Sequence, residues 1–343
     1  MKMTLHLGKR SYNIILNRGA LATLHQLADL NRKVAVVTDS GVPAPYAQTV
    51  ADQCKEACII TVPQGEASKS LATLETVLRR MLDFGMGRGD LVVAVGGGVV
   101  GDLAGFAAAV YMRGVDFINC PTTTLAMIDS SIGGKTAVDL GDTKNIVGAF
   151  HQPKLVLIDP DTLSTLPRRH YVNGLAEAVK AGLIADAELF ELFEHGEAEA
   201  NIETIIYRSL RVKKKIVEQD ETEQGARKCL NFGHTLGHGI EAVRGVKGRR
   251  TTGLFHGECV ALGMLPMIEE PKLRRRTLAV YRKLGLPTRA SYNKQKVLAE
   301  MLHDKKAQSG AVTVIKVPGL GCWQTQTLPA EQLAAAFGLE PQQ

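Results

Sequence analysis

The chain has 343 residues, enough to bury a large core in two domains. Hydrophobic residues make up 45% and charged residues 22%, the ordinary balance of a soluble globular protein. The net charge of +6 is mild and no aromatic residues interleave with the basic runs, so nucleic-acid binding gains no support, and no apolar run reaches membrane-spanning length.

The first half alternates strand and helix patterns. Residues 34–39 form a short apolar strand ending in the polar turn of Asp39, a carboxylate suited to ribose hydroxyls. Residues 58–62 form a second strand, followed by a loop that carries Glu66 and Lys69. An amphipathic helix follows, with Leu71, Leu74, Val77, Leu78 and Leu82 on its apolar face. The apolar run 91–95 then enters Gly96-Gly97-Gly98-Val99-Val100-Gly101-Asp102. A strand, a glycine turn and a helix let backbone N–H groups approach a pyrophosphate, although these residues depart from the usual G-x-G-x-x-G spacing. Residues 117–121 and 155–159 read as further strands, and 129–136 and 144–148 as polar, glycine-flanked loops of the kind that carry function. The alternation predicts a mostly parallel sheet with helices on both faces and a ligand crevice at the carboxyl ends of its strands.

From Tyr171 onward helical patterns dominate, over 175–184, 187–194, 202–217 and 233–243, with a strand signal at 312–315. The expected fold is an α/β domain at 1–166 and a mostly helical domain at 167–343. The runs at Arg249-Arg250 and 274–276 read as solvated faces. Six cysteines show no paired framework, and residues 1–16 hold no apolar core of signal-peptide length. A reduced, cytoplasmic protein is the expectation.

The helical half carries Leu230-Asn231-Phe232-Gly233-His234-Thr235-Leu236-Gly237-His238 and, downstream, His256-Gly257-Glu258. His234 and His238 lie four residues apart on one helix face, so spacing alone allows both to bind a metal. Two imidazoles and one carboxylate leave room for substrate oxygens, as catalytic zinc sites do. Glu177, an acid in an apolar helical stretch, is the plausible carboxylate.

The blocks 96–102, 111–114, 121–136, 144–153, 174–180, 220–238, 256–258 and 304–306 together resemble the 3-dehydroquinate synthase family, the NAD- and metal-dependent cyclases of the shikimate pathway. The resemblance implies zinc, or cobalt, on Glu177, His234 and His256. It assigns His238 to the substrate, near the phosphate and the proton to be lost. Lys135, Asn145 and Lys306 would hold that phosphate, with Arg113 reaching in from the partner in a homodimer. Arg227, Lys213 and Asn231 would face the carboxylate and ring hydroxyls, and Asp129, Lys180 and Glu223 line the same site. NAD would lie against Asp39, Glu66, Lys69, Gly97, Gly98, Val99, Asp102, Thr122, Thr123, Lys144 and Thr165. Where the family favours Asp-x-Asn after the second strand, this chain has Asp39-Ser40-Gly41.

The implied reaction turns 3-deoxy-D-arabino-heptulosonate 7-phosphate into 3-dehydroquinate and phosphate. It proceeds by oxidation with NAD, phosphate elimination, return of the hydride, ring opening and aldol closure. Three other readings share the plan. A sister sugar phosphate cyclase, such as a 2-deoxy-scyllo-inosose synthase, takes a substrate without a carboxylate, so Arg227 and His238 discriminate. A glycerol-dehydrogenase-like oxidoreductase would lack Lys135, Asn145 and Lys306 and would release NADH. A non-enzymatic NAD-binding regulator on the same scaffold would show no turnover.

Overall fold

A computed structural model describes residues 1–141, 143–243, 246, 248, 253–303 and 311–339. The chain divides into two compact units, Met1–Tyr171 and Val172–Gln343.

The first unit is built on a seven-stranded sheet. Its strands are β1 (Lys2–Leu5), β2 (Tyr12–Leu16), β3 (Lys33–Asp39), β4 (Glu56–Val62), β5 (Leu91–Gly96) and β6 (Asp116–Pro121), with β9 (Leu155–Ile158) after the hairpin β7 (Lys135–Leu140)–β8 (Thr143–Phe150). Their order is β1-β2-β9-β6-β5-β3-β4, and every pairing is parallel except β1 with β2. Strand β5 is buried throughout (Leu91, Val92, Val93, Ala94, Val95), the continuous apolar run expected of a strand covered on both faces. Helices α1 (Ala44–Ala51), α2 (Leu71–Asp83) and α3 (Gly98–Val110) supply the crossovers. One core lies under α2 and α3, and a second packs Leu24, Val34, Val36, Val93 and Val95 on the opposite face. From β3 the chain steps outward to β4, then returns to β5 and continues the other way to β6. That reversal falls between β3 and β5, where an open α/β sheet opens a crevice at its carboxyl edge.

Two segments expected as loops are ordered otherwise. Residues 144–148 lie within β8, paired antiparallel with β7. Their side chains are mostly exposed, so no buried face writes a period of two into the sequence. Residues Ala126–Ser130, which include Asp129, form a π-helical turn, a form common at functional sites.

The second unit is mostly helical: α4 (Arg168–Ala185), α5 (Ala187–His195), α6 (Ile202–Gln219), α7 (His234–Ala242), α8 (His256–Met264), α9 (Pro271–Leu284) and α10 (Lys294–His303). An antiparallel hairpin, β10 (Ala311–Gly319) with β11 (Cys322–Pro329), and α11 (Ala330–Ala336) close it. Helix α4 is the central element, buried from Val172 to Ile184, polar residues included. Helix α6 covers the core with Ile202, Ile205, Ile206, Ser209 and Leu210, a stripe at helical spacing. The 274–276 run is not merely solvated, since Arg276 pairs with both oxygens of Glu194 at 2.7 and 2.6 Å and Arg274 Nε donates to the Ile268 carbonyl at 3.1 Å. Arg249 and Arg250 lie outside the described residues. All six cysteines are free, and among the described residues no helix is long and apolar enough to cross a membrane.

Candidate active site

The second unit gathers Glu177 from α4, His234 from α7 and His256 from α8. Glycines make this approach geometrically feasible. Gly233, the residue before α7, has φ +81°, and a Cβ there would stand 2.7 Å from the Val260 carbonyl oxygen. A Cβ on Gly257 would stand 2.0 Å from the Asn173 carbonyl oxygen. The start of α8 is fixed further by Asn173 Oδ1, which accepts from the N–H groups of Gly257 at 2.7 Å and Glu258 at 3.3 Å, while Glu258 Oε2 accepts from Phe255 N–H at 2.8 Å. His256 is therefore locked to the same helix that carries Glu177.

Glu177 Oε1 stands 3.5 Å from His256 Nε2 and 3.8 Å from His234 Nε2. Two ligands of a tetrahedral zinc, each about 2.0–2.1 Å from the metal, are about 3.3 Å apart, so these separations need little change. Both carboxylate oxygens are buried without a hydrogen bond of proper geometry, although Lys180 Nζ stands against Oε2. A buried carboxylate that is ion-paired through Oε2 and turns Oε1, without a hydrogen bond, toward two imidazoles fits a divalent cation. The His234 Nδ1–H donates to the Phe232 carbonyl at 3.2 Å, which leaves Nε2 as a bare lone pair on the Glu177 side.

Burial opposes the charge on Glu177, but Lys180, His256 and His234 together outweigh it and hold the carboxyl well below its ordinary range. Burial and then Lys180 push His234 well down, so it stays neutral. His256 goes the other way. Burial would lower it, but Glu177 and Glu241 raise it to about 10. A neutral imidazole and an ionised carboxylate are the forms that ligate metal.

His238 is exposed on the same face, its ring centroid 5.1 Å from that of His234 and 5.8 Å from that of His256. Lys180 also donates to the Leu230 carbonyl at 2.8 Å and is buried. The segment before α7 is organised by Asp220, whose carboxylate accepts from the N–H groups of Gln224 (2.8 Å), Gly225 (2.7 Å) and Arg227 (2.9 Å). Arg227 is itself buried and donates to the Glu221 carbonyl, and Asn231 Nδ2 donates to Glu223 at 2.6 Å. Lys213 is buried on α6, and Lys306 lies outside the described residues. Glu241 and Asn173 escaped the sequence reading. For Glu241 a signal existed: it follows His234 and His238 at i+7 and i+3 on one face of α7.

In the first unit the crevice edge holds Asp39 at the end of β3 and Gly96–Gly98 at the end of β5. Helix α3 starts there without a side-chain cap, so its first N–H groups remain for an anion. The first glycines pack against Thr123 and Ser130, with Val99 partly buried beside them. Thr122 N–H donates to the Gly96 carbonyl at 2.9 Å, and Thr123 Oγ1 accepts from Ala126 N–H at 3.2 Å. Asp39 Oδ1 is committed to its own turn, accepting from Gly41 at 2.7 Å and Val42 at 3.2 Å. Lys69 is buried, pairs with Asp102 at 2.5 Å and donates to Asn145 Oδ1. Lys144 lies 3.7 Å from Glu66, both exposed, and Thr165 Oγ1 shares a hydrogen bond with the Tyr46 hydroxyl at 3.0 Å. Lys135 lines a small cavity with Asp102, Asn119, Ser130 and Thr136. Among the described residues, four non-glycines have left-handed backbones, and Arg113, Asn145 and Glu223 are three of them. Such conformations concentrate at functional sites.

The N-terminal domain family of 3-dehydroquinate synthase matches residues 59–173 and the C-terminal domain family matches 174–307. A 3-dehydroquinate synthase of Pelobacter propionicus is 42% identical over 98% of this chain and 99% of its own length. One from Streptococcus suis is 41% identical over 97% of this chain and 98% of its own. The chain belongs to the 3-dehydroquinate synthase family. It is an enzyme of that lyase class. Among solved structures, a 2-deoxy-scyllo-inosose synthase complexed with carbaglucose-6-phosphate, NAD+ and Co2+ superposes with a TM-score of 0.88 at 25% identity, covering 98% of this chain and 99% of its own. The 2-epi-5-epi-valiolone synthase of Streptomyces hygroscopicus, with NAD+ and Zn2+ bound, gives 0.84 at 29% identity, covering 97% and 98%. A probable glycerol dehydrogenase of Sinorhizobium meliloti, at 16% identity and a TM-score of 0.63 over 95% of each chain, shares the fold alone.

Proposed function

We propose that the chain converts 3-deoxy-D-arabino-heptulosonate 7-phosphate to 3-dehydroquinate and phosphate, with NAD as a recycled cofactor and Zn2+ or Co2+ on Glu177, His234 and His256. The observation that carries this reading is the buried Glu177 carboxylate, paired with Lys180 on one oxygen and faced by two imidazoles on the other, inside the region matched by the family's C-terminal domain. When bound, NAD supplies reversible hydride acceptance and the divalent metal supplies Lewis acidity at the substrate hydroxyls.

The chain's own residues do the rest. Residues 1–166 serve as the NAD-binding domain. The uncapped N-terminus of α3 at Gly97, Gly98 and Val99 receives the pyrophosphate, with Asp39, Glu66, Lys69, Asp102, Thr122, Thr123, Lys144 and Thr165 around it. Residues 167–343 serve as the metal- and substrate-binding domain. Arg227, with Lys213 and Asn231, receives the substrate carboxylate and ring hydroxyls, and its burial strengthens that charge-assisted recognition. A cyclase whose substrate lacks a carboxylate has no use for that guanidinium. Lys135, Asn145 and Lys306, with Arg113 lent across a two-fold homodimer, hold the phosphate. His238 handles the proton that leaves as the phosphate is eliminated, and Asp129, Lys180 and Glu223 hold the site's charges in place. Free cysteines suit a reducing cytoplasm.

The test is phosphate release from 3-deoxy-D-arabino-heptulosonate 7-phosphate in the presence of NAD, before and after chelation and after re-addition of Zn2+. Release that stops on chelation and returns with zinc is expected, with no net NADH. Accumulating NADH, or no phosphate release by the zinc-loaded enzyme, refutes the reading.

A further inference from the structure

A second carboxylate stands beside the candidate metal cluster without belonging to the Glu177, His234 and His256 set. Glu241 lies on α7, and its Oε2 accepts from His256 Nδ1 at 3.1 Å. The opposite nitrogen of the same ring, Nε2, faces Glu177 Oε1 at 3.5 Å. The imidazole is therefore held from behind by one carboxylate while it presents its other nitrogen to the ligand cluster. His234 is arranged the same way, its Nδ1–H on the Phe232 carbonyl and its Nε2 toward Glu177. Both rings point Nε2 inward and use Nδ1 as an outward donor. The outer partner of His234 is a neutral carbonyl and that of His256 is a carboxylate, the stronger acceptor.

We propose that Glu241 is a positioning residue for the metal centre, forming a carboxylate–histidine–metal relay that fixes the tautomer and orientation of His256. The proposal rests on the reading that Glu177, His234 and His256 hold a divalent metal. A ligating imidazole needs a bare Nε2, and a carboxylate on Nδ1 keeps the ring proton on the far side and raises the donor strength of Nε2. Helix geometry makes this possible: Glu241 follows His234 by seven residues, so one face of α7 carries both a ligand and the anchor of a ligand on α8. The competing use of Glu241 is as a ligand itself, since its carboxylate, His238 and His256 also bring ligand atoms within 4.8 Å of one another. In that arrangement His256 would have to serve two metals through its two nitrogens.

The experiment uses the full chain as wild type, Glu241→Gln and Glu241→Ala. Zinc affinity is read by competition with a chromogenic chelator, and the Co2+-loaded proteins give the visible absorption spectrum of the site. One metal per wild-type chain is expected. Affinity should weaken about tenfold in Glu241→Gln, which keeps an acceptor but loses the charge, and up to about 100-fold in Glu241→Ala. The cobalt bands should shift in both, while the metal-free Glu241→Gln protein still unfolds in a single cooperative transition, which separates a positioning loss from a failure to fold. Wild-type zinc affinity and an unchanged cobalt spectrum in both variants overturn the proposal. So does a wild-type stoichiometry of two metals that falls to one in Glu241→Ala, which makes Glu241 a ligand. Should Glu241→Ala fail to fold, Glu241→Gln decides alone. Failure of the underlying metal reading looks different: the wild type binds no stoichiometric zinc, or His234→Ala retains it fully.

Discussion

Gly257→Ala tests the geometry of the metal centre without touching a ligand. The new methyl would stand 2.0 Å from the Asn173 carbonyl oxygen, against the 3.0 Å below which real Cβ atoms essentially never fall. The obstacle is the backbone of α4, so no side chain can rotate out of the way. The start of α8 must then retreat from α4 by about 1 Å, and His256, the preceding residue, retreats with it. Metal sites tolerate ligand displacements of about 0.2 Å, so His256 leaves the reach of a metal held by Glu177 on α4. The same movement weakens the bond from Gly257 N–H to Asn173 Oδ1. Overpacking of this kind costs about 1–3 kcal/mol, and loss of the cap about 1 kcal/mol more. The expected protein is folded but less stable, with zinc content well below one per chain and turnover reduced at least about 100-fold, as a 1 Å misplacement implies. Elemental analysis, denaturant unfolding and phosphate-release kinetics on one preparation measure all three. Asn173→Ala is the control, since it removes the cap without the clash and should retain most of the zinc. Full zinc and wild-type turnover in Gly257→Ala would refute the claim that close helix approach places His256.

Three further outcomes follow from the same site. His238→Ala should keep its zinc and NAD and lose turnover by roughly 100-fold or more, as expected of a proton-transfer group; loss of zinc would make His238 a ligand. Arg227→Ala should weaken substrate binding by about 1.5–3 kcal/mol, some 10- to 150-fold, with NAD and zinc retained, and an unchanged KM would sink that role. In the metal-free protein His256 is raised to about 10, so it is charged at pH 7 while His234 and Glu177 already stand deprotonated. The charge on His256 stabilises the metal-free fold below its unfolded pKa of 6.5 and is lost as pH rises through about 10. Zinc binding at pH 7 should therefore release about one proton from this ligand set and tighten as pH rises, measurable by calorimetry in buffers of different ionisation heat. No proton release would contradict a charged His256.

The sheet was legible where burial is two-sided. Strands β3, β5 and β9 read as short apolar runs because both faces are covered, and α2 and α6 read as helices because one face is. The hairpin β7–β8 and strand β11 were not legible. Most of β8 and β11 is exposed, so neither face carries an apolar alternation, and their pairing is set by partners the local sequence does not name. Strands β1 and β2 do alternate or run apolar, with Leu5, Ile14 and Leu16 buried, and the signal there went unread. At the site, residue types and spacing pointed to His234, His256 and Glu177. They left His238 ambiguous, because two histidines one turn apart face the same way whether or not both bind metal.

The glycines of the histidine segments show why such a site is partly readable and partly hidden. Glycine beside histidine looks, in sequence, like a loop carrying a ligand. In the fold Gly233 and Gly257 mark where a helix start comes within reach of a neighbouring backbone, and the histidine that follows or precedes each is delivered into one cluster. Packing and ligation are thus encoded by adjacent residues, which makes the motif conspicuous. The partners that finish the site are distant: Glu177 is 57 residues before His234, and Asn173 caps a helix 83 residues further on. Nothing local in the sequence announces that Asn173 accepts from the first turn of α8, because its neighbours on α4 are simply a buried helix. The helix that delivers His256 is thus capped by a side chain that is neither acidic nor imidazole, and that contribution becomes visible once the two helices are seen to touch.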